Sequence, residues 1–283
     1  MNKTLFEAYK EILDLSKGMM LPEIEARMLL CKVNELDDMS SFYFHQKDEI
    51  KDKEKYENYL KRYLNGEPIQ YILEEAEFVG RNFYVNRDVL IPRMETEEVV
   101  IYSINKCNEI FGINMPITAL DLCCGSGCIA IILKHELNAE VYASDINEKC
   151  LSTGDENTRR HNIKVHFLLG DLLKPAIEKE LKFDLIVSNP PYIVNKDEID
   201  ERTINFEPVE ALYPIDRNVV ELYEEILRDS KLVLKDKSIL VLEIGYDLKD
   251  SLRPLAEKYY PNSEIQFIKD INGKDRILSI ITK

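Results

Sequence analysis

The segment Asn189-Pro190-Pro191-Tyr192 follows an apolar, strand-like run and is unusually rich in hydrogen-bond acceptors. Each proline fixes its own φ and lacks an N–H group, and the second proline disfavours a helical conformation at the first. The loop is therefore stiff and extended. The Asn189 side-chain oxygen and a proline carbonyl can together accept both hydrogens of a planar –NH2 group, and Tyr192 can pack over its plane. This pattern predicts chemistry at an amino or amide nitrogen whose lone pair is oriented toward an electrophile.

A second segment with binding chemistry, DLCCGSGCIA at residues 121–130, follows an apolar run and opens a predicted helix. Gly125 and Gly127 let the backbone turn tightly and approach a ligand, and the helix N-terminus supplies free N–H groups. Asp145 follows Gly125 at the spacing of a carboxylate that binds ribose hydroxyls. The same residues also fit an NAD site, or a glycine turn with a purely structural role.

Two further acids favour one of these alternatives. Asp121 ends the first strand and is suited to lie near a cationic methionine group, whereas it would repel a dinucleotide pyrophosphate. Asp171, in the segment Gly170-Asp171-Leu172, adds an acid at the carboxyl edge of the sheet, where ligands bind in doubly wound folds. We therefore expect a cofactor that combines adenosine with a positive centre, S-adenosylmethionine. A purely structural role is the alternative for the proline segment after the fourth predicted strand. The cofactor loop after the first strand argues against that alternative.

Alternating strands and helices are predicted to position these segments. The apolar runs are rich in β-branched residues and separated by helical patterns, which is typical of a parallel sheet covered on both faces. The predicted strands lie at 117–122, 139–145, 164–171, 183–189, 238–245, 264–270 and 276–282, and the helices at 95–111, 127–136, 147–161, 217–234 and 248–259. Because the connection between the last two strands is too short for a crossover helix, we expect that pair to be antiparallel.

The N-terminal part has a different, helical pattern. Amphipathic or charged helices are predicted at 3–17, 22–36 and 48–66. A turn at Gly80-Arg81-Asn82 indicates a short hairpin or connector after them. We predict a helical domain at 1–74, a hairpin or linker at 75–92 and a large α/β domain at 93–283.

The composition limits the classes of function. Hydrophobic residues make up 45% and charged residues 31% of the 283 residues, as in soluble globular proteins. No apolar stretch is long enough to span a bilayer, and the N-terminal residues resemble neither a signal nor a transit peptide, so we expect a cytoplasmic protein. The net charge of −15 argues against stable nucleic-acid binding, which usually needs a basic surface. The six cysteines form no CxxC pair and the four histidines are scattered, so no metal site is expected.

The wider sequence resembles a known family. Asn-Pro-Pro-Tyr after an apolar strand, with an upstream D-x-x-x-G-x-G loop, is similar to the amino-group methyltransferases, which act on adenine, exocyclic guanine or amide nitrogens. Further stretches, in order after a helical N-terminal region, resemble the HemK-type protein-glutamine methyltransferases over essentially the whole chain. These stretches are GEPIQYI (66–72), EFVGRNFYV (77–85), VLIPRMETEEVV (89–100), FEPVEAL (206–212) and LEIG (242–245).

The resemblance implies a Rossmann-like class I methyltransferase fold, an α/β fold with a mostly parallel seven-stranded sheet and a small N-terminal helical domain that holds the protein substrate. It implies methyl transfer from S-adenosylmethionine, leaving S-adenosylhomocysteine, to the glutamine of the Gly-Gly-Gln motif in peptide chain release factors, with an effect on translation termination. We also expect a monomer.

The residues expected to contact the cofactor are Asp121, Cys123, Cys124, Gly125, Ser126, Gly127, Asp145, Asp171, Leu172 and Asn189. Those expected to act in catalysis are Asn189, Pro190 and Tyr192, and those expected to contact the substrate are Asn189, Pro190, Pro191, Tyr192, Arg93 and Glu207.

The sequence departs from the family pattern at several positions. Cys123 replaces a usual glycine, and a Cβ there costs roughly 1 kcal/mol or more if its φ is positive. Met94 and Glu74 replace a usual proline and glycine, and the segment 211–222, on the expected substrate side, lacks the usual glycines. Arg93 at a hairpin–helix junction and Glu207 in a surface loop have structural roles as alternatives. The alternative functions are methylation of adenine or guanine in nucleic acid, methylation of another protein's glutamine, and a cofactor-binding module without catalysis.

Overall fold

A computed structural model describes residues 3–19, 21–194 and 201–283. The chain divides into two compact units. The first comprises Met1–Glu75 with Glu201–Phe206, and the second comprises Ala76–Asp200 with Glu207–Lys283.

The first unit is helical. Its apolar stripe is buried, as Leu5, Ala8 and Ile12 of the first helix show, and Thr4 and Glu7 form a capping box that begins that helix. The helices are α1 (Leu5–Leu15), α2 (Glu23–Asn34), α3 (Ser41–Phe44), α4 (Lys53–Leu64), α5 (Ile69–Leu73) and, much later in the chain, α10 (Glu201–Phe206). The three predicted helices are present with shorter bounds, whereas α3, α5 and α10 were not predicted because each is too short to show a helical period.

A short antiparallel hairpin opens the second unit. Strands β1 (Ala76–Phe78) and β2 (Arg81–Phe83) pair with Phe78 opposite Arg81, so Val79 and Gly80 form the two-residue turn. Both turn residues have positive φ, of 48° and 66°, as tight hairpin turns require. The predicted turn at Gly80-Arg81-Asn82 is therefore wrong by one residue. Burial of Phe78 and Phe83 sets the register, and that register places Arg81 in the strand.

Seven strands form one sheet in the second unit: β3 (Ile117–Leu122), β4 (Ala139–Asp145), β5 (His166–Leu169), β6 (Phe183–Ser188), β7 (Leu234–Glu243), β8 (Glu264–Lys269) and β9 (Asp275–Ile281). Their order is β5-β4-β3-β6-β7-β9-β8. All neighbouring pairs are parallel except β7–β9 and β8–β9. The mostly parallel seven-stranded sheet and the antiparallel final pair are thus confirmed, although β7 begins four residues before its predicted start.

Helices cover both faces of this sheet. They are α6 (Met94–Phe111), α7 (Cys128–Glu136), α8 (Glu148–Arg160), α9 (Lys174–Glu178), α12 (Val219–Val233) and α13 (Lys249–Tyr259), and the short helix α11 (Val209–Leu212) precedes α12. Residues of α6 and α7 pack with Ala119 in one buried cluster, while residues of α12 and α13 pack with Leu120 in the other. Successive side chains of a strand point to opposite faces, so apolar strand residues are buried under both helical layers.

The chain order reverses between β3 and β6. Strands β4 and β5 extend the sheet to one side of β3, and β6 and β7 extend it to the other. This creates a crevice at the carboxyl ends of β3 and β6, the position where doubly wound sheets bind ligands. In the described ranges, no helix combines the length and the apolar character needed to cross a membrane.

Candidate active site

The segment between β3 and α7, here called the glycine loop (residues 123–127), has an unusual backbone. Cys123, Gly125 and Gly127 all have positive φ, of 62°, 52° and 75°. Such a conformation suits glycine and strains cysteine. A Cβ at Gly127 would lie 3.3 Å from the Gly154 Cα, so this glycine also allows α7 and α8 to approach closely.

Asp121 binds the first turn of α7, the helix that follows the glycine loop. Its position in β3 places it on the face covered by α7, and its Oδ2 accepts a hydrogen bond of 2.9 Å from the Ala130 N–H. It is fully buried and is absent from the described residues that line the neighbouring cavity. Burial raises the pKa of Asp121 to about 8, against the effect of that hydrogen bond. The other carboxylate oxygen, Oδ1, is buried and has no hydrogen-bond partner among the described residues. Contact of this carboxyl with a cationic cofactor group therefore stays a prediction.

Asp145, at the end of β4, is bound to the same loop from the side. Its Oδ2 accepts from the Gly125 N–H and its Oδ1 from the Asn147 N–H, both at 3.0 Å. Burial raises the pKa of this carboxyl, although both backbone hydrogen bonds favour the charged form. Asp145 lines the cavity, as the spacing from Gly125 predicts.

Asp171 follows β5 and lies in an ion-pair network. Both of its carboxylate oxygens accept from Arg217 Nη2 at 2.9 Å, and Oδ2 also accepts from Lys174 at 2.6 Å. Burial acts to raise the pKa of Asp171, but the hydrogen bonds from Lys174 and Arg217 hold it below its usual value. Arg217 belongs to the atypical segment 211–222, which was expected on the substrate side but contacts this cofactor-side acid. Leu172, with φ of 48°, is buried beside Asp171.

These residues line one cavity at the switch point. The cavity is an open cleft of about 1070 Å³, a volume that includes the space at its mouth. The predicted site residues that line it are Arg93, Cys123, Cys124, Gly125, Ser126, Asp145, Asp171, Leu172, Asn189 and Pro191. Lining residues that were not predicted include Asp88, Thr96, Ile146, Pro214, Ile215 and Arg217.

The segment after β6, here called the proline loop (residues 189–192), borders the same cavity. Asn189 Nδ2 donates to Thr96 Oγ1 at 3.0 Å. Within the described part of the chain no hydrogen bond reaches Asn189 Oδ1, so that oxygen remains available for a ligand. Pro190 is buried and is absent from the described cavity lining, whereas Pro191 lines the cavity.

Tyr192 is held by β7 and β9. Its hydroxyl donates to Glu243 Oε1 at 3.1 Å, and Arg276 lies near its ring, 6.0 Å from the ring centroid. The ring packs against the buried cluster on the α12 face and is not among the described cavity-lining side chains.

Arg93 and Glu207, both predicted as substrate contacts, bind each other. Their side chains form a close ion pair, and Glu207 Oε2 also accepts from the Ile91 N–H at 3.2 Å. Glu207 is buried and does not belong to the described lining of the cavity, whereas Arg93 does. The geometry is that of a clamp between the start of α6 and the segment before α11, which is the structural alternative given for Arg93.

Thr96 and Glu243 contact the proline loop but were not predicted as site residues. Thr96 Oγ1 donates to Glu243 Oε2 at 2.7 Å, and both residues are buried. The available signal was an acid at the end of the otherwise apolar strand SILVLEIG, next to a site-forming edge.

A doubly wound sheet with the glycine loop and the proline loop at its switch point defines a class, the Rossmann-like methyltransferases. Two solved structures share the fold. A methyltransferase from Pyrococcus furiosus superposes with a TM-score of 0.52 at 17% identity, covering 79% of this chain and 98% of that one. The 16S rRNA N2 G1207 methyltransferase of T. thermophilus, in complex with AdoMet and guanosine, gives 0.52 at 16% identity, covering 74% and 50%.

Sequence relatives narrow the class further. Family models described as "Methyltransferase small domain" and "PrmC N-terminal domain" match residues 110–206 and 13–73. The release factor glutamine methyltransferase of Staphylococcus aureus is 40% identical over 228 residues, 80% of either chain. That of Clostridium botulinum is 37% identical over 269 residues, 90% of either chain. The chain belongs to the release factor glutamine methyltransferase family, which confirms the predicted family and enzyme class.

Proposed function

We propose that this protein transfers a methyl group from S-adenosylmethionine to the side-chain amide nitrogen of the glutamine in the Gly-Gly-Gln motif of peptide chain release factors. The observation that carries the proposal is the Asn189 amide at the edge of the cavity. Its Nδ2 is bound to Thr96, and its Oδ1 remains as an acceptor beside the glycine loop. Family membership supplies the substrate class.

The cofactor side of the cavity fits S-adenosylmethionine. An ionised carboxylate has about four lone-pair sites, and Asp145 uses two of them for backbone N–H groups, so capacity remains for ribose hydroxyls. The left-handed glycine loop brings the backbone close to a bound ligand, and the wall formed by Ile146, Leu172 and Ile215 suits an adenine ring. Asp171 and Leu172 border the same region. When bound, the cofactor supplies an electrophilic methyl group on a positively charged sulfur.

The acceptor side orients the amide nitrogen. Asn189 Oδ1 and a proline carbonyl of the loop accept the two N–H groups of the glutamine, and the stiff prolines fix the angle between these acceptors. The lone pair of the nitrogen is then directed into the cavity. An amide nitrogen is a weak nucleophile, so catalysis depends on positioning and on electron density placed by these acceptors.

The described cavity lining offers no imidazole or amine as a general base, and its titratable groups other than Arg93 and Arg217 are carboxylates and thiols. Among the described lining residues none is His or Lys. Burial raises the pKa of each lining thiol, to about 12 for Cys128, so the thiols are not nucleophiles at neutral pH. Proton loss from the methylated amide therefore follows transfer.

The helical unit at the N-terminus is proposed to hold the release factor. A flexible Gly-Gly-Gln loop gains precise placement from contacts far from the reacting amide. With this substrate the protein acts in the cytoplasm, where translation ends, as a monomer and without stable nucleic-acid binding. The domain limits that serve this role are those predicted above, 1–74, 75–92 and 93–283.

The test is methyl transfer from labelled S-adenosylmethionine to purified release factors, each beside its Gly-Gly-Gln to Gly-Gly-Ala variant. Label on the intact factor alone supports the proposal. Label on neither factor, with S-adenosylhomocysteine binding intact, rules out this substrate. Label on RNA or DNA added in parallel would instead support the nucleic-acid alternative.

A further inference from the structure

Thr96 and Glu243 connect the two ends of the proline loop through one buried carboxylate. Asn189 Nδ2 donates to Thr96 Oγ1 at 3.0 Å, and Thr96 Oγ1 donates to Glu243 Oε2 at 2.7 Å. The other carboxylate oxygen, Oε1, accepts from the Tyr192 hydroxyl at 3.1 Å. One side chain of β7 thus sets the position of the first and the last residue of the loop.

We propose that Thr96 and Glu243 are positioning residues that fix the amide orientation of Asn189 and the place of Tyr192. The inference rests on the proposed function, since an oriented amide matters for methyl transfer to glutamine. Neither residue needs to contact the substrate for this role.

The orientation follows from counting donors and acceptors. An ionised carboxylate only accepts hydrogen bonds, so Thr96 must give its single hydroxyl hydrogen to Glu243. The Thr96 oxygen is then only an acceptor toward Asn189, which must present Nδ2 to it and turn Oδ1 away. The reversed amide would place two oxygens against each other at about the same 3.0 Å. A side-chain amide is nearly symmetric in shape, so this hydrogen-bond pattern is what selects its orientation.

A purely structural role would not require a carboxylate at this place. Glu243 has no exposed surface, and among the described residues no cation lies within 4.0 Å of its oxygens. Burying a charge without an ion pair is costly, and an apolar pair would fill the space between α6 and β7 more favourably. The alternation along β7 places Leu242 on the α12 face and Glu243 on the α6 face, where Thr96 lies.

Protonation of Glu243 would remove the selection. A protonated oxygen can donate to Thr96, whose hydroxyl is then free to donate to Asn189 Oδ1, and the reversed amide becomes acceptable. The titratable or charged groups that face Glu243 are Tyr192, Arg276, Glu95 and Tyr223. Burial raises the pKa of Glu243 to about 7, against the hydrogen bonds from Thr96 and Tyr192 and the charge of Arg276. The rate should therefore rise with pH through the neutral range as Glu243 ionises.

Three variants test the proposal. Thr96→Val removes the hydroxyl and keeps the shape, so kcat should fall about 10- to 100-fold while the Kd for S-adenosylhomocysteine stays within about twofold. Thr96→Ser restores the hydroxyl and should recover most of the lost rate. In Glu243→Gln the rise of kcat with pH through the neutral range should be absent. Thr158→Val is the matched control, because that buried hydroxyl donates to the Asp155 carbonyl within α8.

A second readout needs no methyl transfer. The side-chain amide protons of Asn189, assigned in a nitrogen–proton spectrum by their loss in Asn189→Ala, should exchange slowly with solvent in the wild type and in Thr96→Ser. They should exchange faster in Thr96→Val. If the wild type does not methylate release factors, the proposed function fails, and this exchange measurement still decides the role of Thr96.

Two outcomes would overturn the inference: full activity in Thr96→Val, or equal losses in Thr96→Val and Thr96→Ser. A pH profile of Glu243→Gln that matches the wild type would show that Glu243 is not a positioning residue. If Thr96→Val fails to fold, Thr96→Ser and Glu243→Gln carry the decision.

Discussion

The glycine loop and the proline loop lie at the same edge of the sheet but are held in different ways. The glycine loop is fixed through its backbone: Asp145 accepts the Gly125 N–H, and the Cys124 N–H continues the ladder to the Ser144 carbonyl. The proline loop is fixed through side chains that come from α6 and β7, 93 residues before Asn189 and 51 residues after Tyr192.

This difference separates two functions. A loop held by its backbone can tolerate changes of side chain as long as its φ values are kept, and it presents N–H groups and close approach to a cofactor. A loop held by side chains presents a particular amide face, and its accuracy depends on residues that are distant in sequence. We therefore expect substitutions in the glycine loop region to act on cofactor affinity and stability, and substitutions around the proline loop to act on kcat.

The largest effect should come from removing the amide itself. Asn189→Ala deletes the acceptor of the substrate N–H, and kcat should fall by about 10²- to 10³-fold, the size found when one such polar group is removed from a site. Unfolding in urea should change little, because the amide is only half-buried. Asn138→Ala, at the opposite edge of the sheet, is the control. Wild-type activity in Asn189→Ala would contradict both the assigned role and the comparison of the two loops.

A smaller effect, on binding rather than rate, is expected at Asp145. Asp145→Asn replaces one acceptor by a donor, so one of the two backbone N–H groups loses its partner. A hydrogen bond to a charged group contributes about 1.5–3 kcal/mol, so the Kd for S-adenosylhomocysteine should rise roughly 10- to 100-fold. Calorimetric titration measures this Kd. Asp184→Asn is the matched control, since Asp184 accepts the Thr118 N–H at the opposite edge of the sheet. The Kd of this variant for S-adenosylhomocysteine should equal that of the wild type. A loss of kcat without a change of Kd in Asp145→Asn would break the division between the loops.

The two loops also differ in how far the sequence predicts them. Strands β3 and β4 have the predicted bounds, 117–122 and 139–145, because each is a mostly apolar segment that lies between a helical pattern and a turn. Those bounds place the glycine loop and Asp145 at the sheet edge directly. The position of the proline loop after β6 follows in the same way.

The support of the proline loop could not be predicted. The contacts of Thr96 and Glu243 with the loop depend on the packing of α6 against β7 and on a strand order in which β7 neighbours β6. Side-chain hydrogen bonds between such distant segments leave no periodic signal. The hydrogen bond between Asp121 and the Ala130 N–H was missed for a related reason. The motif indicates an acid near the cofactor, but only the packing of the start of α7 on this face of β3 brings that N–H to the carboxyl.

The pH dependence of stability should report on the protonation of Asp121. Its folded pKa of about 8 lies above the unfolded value of about 3.9, so the folded state binds more protons between these values and stability falls as pH rises. Asp121→Asn removes this titrating carboxyl, and with it the difference in bound protons that it causes between the folded and unfolded states. Its free energy of unfolding should fall less steeply with pH than that of the wild type, by up to about 1.4 kcal/mol per pH unit. Urea unfolding at pH 5, 6, 7 and 8 measures both slopes, and identical slopes would show that Asp121 is ionised in the folded protein.

The smallest effect is expected at Cys123, where the glycine loop carries a side chain in a left-handed conformation. Cys123→Ala keeps the Cβ and removes the thiol, whereas Cys123→Gly removes both. The left-handed conformation costs an L-residue about 1–2 kcal/mol, and glycine avoids this cost. Glycine also has more conformational freedom in the unfolded chain, which lowers the stability of the folded state by about 0.5–1 kcal/mol. The glycine variant should therefore be more stable than the alanine variant by about 0.5 kcal/mol, with the same kcat. If the alanine variant were at least as stable as the glycine variant, side-chain packing rather than the φ value would determine the cost at position 123. The glycine loop would then be held by side chains, as the proline loop is.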